Sequence, residues 1–79
     1  MLVRFMAEGT AVFKGEADSA PFPGSTVEFR MVAPAAGTEK GKLVEAIVSK
    51  DSPLRYDYDT LAPQVIVDVT VYQIREVFE

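Results

Sequence analysis

The chain predicts a mainly β fold, a small antiparallel barrel or sandwich of about four or five strands in the OB-like or SH3-like manner, with at most one short helix. Three observations carry this. Apolar side chains recur with a period of two along 2–7, 26–33 and 64–74, and that period is a strand's. Stretches dense in Gly, Pro, Ser and Asp separate these runs. The whole is 79 residues with no cysteine and no histidine. That is the size of one domain, 1–79, burying roughly 60% of its unfolded surface in a thin core with no staples.

In chain order, Leu2, Arg4 and Met6 point one way and Val3, Phe5 and Ala7 the other. Both faces carry apolar groups, as in a central strand. Glu8-Gly9 interrupts as a bulge or tight turn, and Thr10 to Lys14 resumes the strand. Gly15 to Ser25 reads as a loop. Within it Pro23-Gly24 suits the central positions of a type II turn, where proline presets φ and glycine takes φ > 0. Thr26 to Ala33 places Val27, Phe29 and Met31 inward and Thr26, Glu28 and Arg30 outward, with Val32 as the exception.

Pro34 to Gly41 is a second loop. Lys42 to Lys50 fits two patterns. As a strand it puts Val44, Ala46 and Val48 on one face; as a helix it lines up Leu43, Ile47 and Lys50. Its β-branched content favours the strand. Asp51 to Pro63 is a third loop, bracketed by prolines. Gln64 to Ile74 is a long strand with Val65, Val67, Val69 and Val71 as its core face. At about 3.3 Å per residue it would reach roughly 36 Å, so it must coil, bulge or overhang. Residues 75–79 read as a frayed or helical end.

Composition narrows the chemistry. With neither thiol nor imidazole, structural zinc and the usual nucleophilic dyads and triads lack their side chains. Serine–lysine pairs are formally open but arise by chance from four serines and four lysines. GTEKGKL departs from a phosphate loop: Gly37 and Gly41 are too close, and Leu43 follows Lys42 where a hydroxyl would hold magnesium. Asp57 and Asp59 offer too few oxygens for calcium. No catalytic residue, metal ligand or cofactor is assigned.

The net charge is −4. Residues 1–50 balance six cations against six anions, and residues 51–79 set Arg55 and Arg75 against six acids. An acidic surface suits solubility and disfavours phosphate backbones. The absence of a long apolar run argues against a membrane span. With no secretory pattern and no cysteine, the expected setting is the cytoplasm.

The expected function is therefore non-enzymatic binding or assembly with another protein, including a second copy through the last strand. The length would suit a phage- or plasmid-type accessory protein or inhibitor. The residues assigned to contact are Phe22, stiffened between two prolines, Tyr56 and Tyr58 in RYDYD, and the outer face of the last strand, Ile66, Thr70, Tyr72 and Ile74. The alternative is a nucleic-acid-binding barrel using Arg30, Lys40 and Lys42 with exposed aromatics.

Overall fold

A computed structural model describes residues 1–59 and 62–74. The expected frayed or helical end at 75–79 lies outside them. Six strands form: β1 (Leu2–Ala7), β2 (Thr10–Glu16), β3 (Thr26–Arg30), β4 (Leu43–Val48), β5 (Arg55–Asp57) and β6 (Gln64–Ile74). They join one sheet in the order β2-β1-β6-β4-β3, with β5 also on β6. No helix occurs among the described residues, and so none long and apolar enough to cross a membrane.

The sheet curls into a half-barrel. Phe13 on β2 and Phe29 on β3 belong to opposite ends of the strand order, yet their ring centroids are 5.6 Å apart. Phe5 of β1 completes the cluster, 5.2 Å from Phe13 and 5.1 Å from Phe29. The seam is crossed by Val32, whose N–H donates to the carbonyl of Val12 at 2.8 Å. Inside lie Val3, Val12, Val44, Ala46, Val48, Val65 and Val67, all almost wholly buried, with Phe5, Phe29, Met31 and Val69. Each large side chain removed from water contributes about 1.5–3 kcal/mol, so this cluster is the main support of a domain without cross-links.

β6 is the spine. Its eleven residues run about 36 Å, close to the 40 Å long axis of the molecule. β1 flanks its first half, from Leu2↔Gln64 to Met6↔Asp68, and β4 its second, from Val48↔Val69 to Val44↔Ile74. The β1–β6 pair is parallel and the remaining pairs antiparallel, so the sheet is mixed where a purely antiparallel one was expected. The hairpins β1–β2 and β3–β4 flank β6 on opposite sides. β1 and β4 run in opposite directions, so β6, antiparallel to β4, runs parallel to β1.

Turn chemistry follows the sequence. Glu8 and Gly9 both take positive φ, 52° and 79°, the type I′ pattern that matches strand twist in a tight hairpin. At Phe22–Ser25 the Ser25 N–H donates to the Phe22 carbonyl at 3.1 Å and Gly24 has φ 85°, a type II turn as its Pro-Gly pair predicts. The segment that fitted both helix and strand is the strand β4, with Val44, Ala46 and Val48 buried and Ile47 41% exposed.

Two further features depart from the expected pattern. β5 arises inside the stretch expected to be loop, because the first residues of β6 leave an edge that Arg55–Asp57 can pair with. Between Val48↔Val69 and Arg55↔Ile66, residues 49–54 bulge past just 67 and 68 of β6. The second departure is a β-bulge in β2. It makes Val12 the extra residue, between Phe5↔Phe13 and Met6↔Ala11. This lets Val12 and its neighbour Phe13 both reach the core.

Candidate functional site

The register of β5 on β6 builds one end of the half-barrel. Tyr56 lies opposite Val65 and Asp57 opposite Gln64. Cross-strand partners share a face, so Tyr56 stands on the side of the buried Val65 while Asp57 and the Gln64 side chain stand on the other. Tyr58, two residues further on, stacks beside Tyr56 with centroids 6.4 Å apart and planes 11° from parallel. Together with Met1, Pro63 and Gln64 the two rings line a concavity of about 190 Å³. Tyr58 is 75% exposed and Tyr56 49%: these are large flat groups at the lip of a hollow.

The opposite face of β5 braces this lip. The Asp57 carboxylate accepts the Asp59 N–H at 2.9 Å, an Asx turn that sets the chain between the two tyrosines. Its second oxygen lies 3.4 Å from Gln64 Nε2. The hydrogen bond from Asp59, then that from Gln64, hold the Asp57 carboxyl below its ordinary range; desolvation opposes them weakly, and Arg4 adds to the lowering. Arg55, next along, reaches diagonally to Asp68 at 3.5 Å. Gln64 itself is buried, and its Oε1 has no hydrogen-bond partner among the described residues.

The remaining residues expected to make contacts are spread over the molecule. Phe22 is 80% exposed on its turn. Ile66 is half-buried between Arg4 and Arg55, its neighbours in the cross-strand row, whose aliphatic stems can cover it. Thr70 is exposed beside Ile47.

A bulge changes the last turn of the pattern. Glu45 pairs with Gln73 but Ala46 with Val71, leaving Tyr72 as the extra residue. Ile74 then pairs with the buried Val44. It leaves the row of Ile66 and Thr70 for the inner side of the sheet, where it stays 51% exposed. The outer face of β6 is therefore not the single apolar stripe that strict alternation implies. Tyr72 and Ile74 lie at one end of β6 and the Tyr56–Tyr58 pair at the other, about 25–30 Å away at the strand rise.

The basic residues are equally divided. Arg30 donates from Nη1 to the Gly41 carbonyl at 2.8 Å, Lys40 is exposed and Lys42 half-buried. Sequence reasoning located both tyrosines but not Met1 or Pro63, which come from distant parts of the chain and carry no local signal. Comparison of the chain with protein families, with curated proteins and with solved structures yields no match.

Proposed function

We propose that this domain is a non-enzymatic protein-binding module that holds its partner at the Tyr56–Tyr58 lip. The observation that carries the reading is the parallel, exposed tyrosine pair over a hollow lined by Met1 and Pro63. Tyrosine offers a large contact area with few rotatable bonds, and its hydroxyl tolerates water when no partner is bound. A projecting apolar side chain of a partner, seated between the rings and Pro63, would gain most from this shape. The lip is also held in place before binding by the Asp57 turn, which limits the entropy lost on association.

The test is capture from cell extract with the native chain and with Tyr56→Ala/Tyr58→Ala. Both side chains are largely outside the core, so the variant should melt close to the native temperature. A partner retained by the native chain and lost with the variant supports the reading. A partner retained equally by both overturns it.

A further inference from the structure

β2 ends the strand order, and its outer edge is open over a short stretch. At Val12 the edge is already used by the Val32 N–H. Further along, the Ala17 N–H donates to Met1 at 2.8 Å, which aims the main-chain groups of Ala17, and by strand alternation those of Gly15, at β1. The N–H and C=O of Lys14 and Glu16 therefore point away from the sheet, and among the described residues no strand pairs with them. Unpaired edges of this kind are templates for another strand.

The side chains on this edge specify what kind of strand. Lys14 and Glu16 are both exposed and flank Gly15. Pairing antiparallel with the same segment of a second copy allows three registers that keep the outward main-chain groups bonded. Two of them oppose Lys14 to Lys14 or Glu16 to Glu16, which is repulsive. The third opposes Lys14 of each copy to Glu16 of the other.

We propose that the chain self-associates as a two-fold dimer through β2 in this third register, with Gly15 on the axis. The axis falls on a non-hydrogen-bonded pair, where the two backbones come closest. Glycine suits that place. A Cβ on Gly15 would sit 2.8 Å from the Phe13 ring, which already lies over it. The complementarity extends inward from the edge. Lys14 shares its cross-strand row with Arg4, Ile66 and Arg55, and Glu16 shares the adjacent row with Leu2, Gln64 and Asp57. Across the axis the cationic row of each copy runs into the row of the other that holds Glu16 and Asp57. The symmetry is isologous, so the contact closes at two copies. Glu16 also accepts the terminal ammonium of Met1 at 3.2 Å, an exposed pair of small worth that leaves its second oxygen for a lysine.

Sedimentation equilibrium tests this. The native chain should show a monomer–dimer equilibrium at micromolar to high-micromolar concentration. Lys14→Glu alone and Glu16→Lys alone should each be monomeric, since each places like charges across the axis. Mixed in equal amounts they should associate with each other, and the double exchange Lys14→Glu/Glu16→Lys should dimerise like the native chain. Both positions are exposed, and circular dichroism checks that every variant is folded. A native chain that stays monomeric at high-micromolar concentration overturns the proposal. So does a dimer that survives either single exchange, because it would use another surface such as Tyr72 and Ile74, and so does a mixture that fails to associate.

Discussion

Phe13 and Phe29 pack ring against ring at a 48° tilt with centroids 5.6 Å apart, although one lies on β2 and the other on β3, the two outermost strands of the sheet. This contact is the packing counterpart of the Val32–Val12 hydrogen bond. Together they make a sheet that would otherwise lie open enclose its own apolar face.

Phe29→Ala should therefore be severe. It removes the ring shared by Phe5 and Phe13 and leaves a cavity at the closing seam, a change that typically costs about 3–5 kcal/mol. Against a total stability on the order of 5–10 kcal/mol for a small domain, thermal denaturation should show a loss of cooperative folding or a melting temperature lowered by well over 10 °C. Val67→Asp, which puts an unpaired charge at the centre of the core, should abolish folding outright. Near-native melting of both would mean that the inward face is assigned wrongly.

Gly24→Ala tests the type II turn. The residue has φ 85°, and an added Cβ would lie 2.7 Å from Cε of Lys50. The lysine stem can move aside, whereas the backbone strain remains, at about 1–2 kcal/mol. The loss in urea-denaturation stability should therefore persist when Gly24→Ala is made together with Lys50→Ala. Full recovery in the double variant would place the cost on the lysine contact instead.

Asp57→Asn probes the brace behind the tyrosines. The folded-state carboxyl lies below its ordinary value of 3.8, so the ionised form is the stabilised one. Its contribution is present above the unfolded-state value and is lost as pH falls through the folded-state one. The native chain should exceed Asp57→Asn in stability near neutral pH, and the gap should shrink as pH is lowered past about 4 and close below the folded-state value. A gap independent of pH would assign the effect to hydrogen-bond geometry rather than charge.

Nucleic acid should bind poorly. The chain carries net charge −4, and Arg30, the first of the basic residues a barrel of this kind would use, is hydrogen-bonded to Gly41. Fluorescence titration at physiological salt should show no complex with single- or double-stranded oligonucleotides tighter than about 10 µM. A tight, salt-sensitive complex that Lys40→Glu with Lys42→Glu weakens would reverse this conclusion.

The sequence by itself determined where the main strands run and, for β3 and β6, which side they bury. Val3 and Phe5 in β1, Phe29 in β3, Val44 and Val48 in β4 and Val65, Val67 and Val69 in β6 are all buried where alternation puts them. The reason is local: side chains two apart share a face whatever the strand pairs with. The same holds for the Pro23-Gly24 turn, whose φ values are a property of the two residues themselves. Of the contact residues, Phe22, Tyr56 and Tyr58 were picked out by the prolines and charges around them, whereas their exposure is a result of the tertiary structure.

What only the tertiary structure decided concerns neighbours. Arg55–Asp57 lies in a stretch that reads as loop and becomes β5 because β6 presents an edge to it. The parallel pairing of β1 with β6 depends on where two separate hairpins dock. Tyr72 is the extra residue of a bulge only because β4 and β6 shift register against each other, and that single residue moves Ile74 to the other side of the sheet. A period of two is silent about such shifts, because an inserted residue is recognised as extra only against the strand opposite it. Likewise Met1, Pro63 and the tyrosines become one hollow only when β1, β5 and β6 lie side by side.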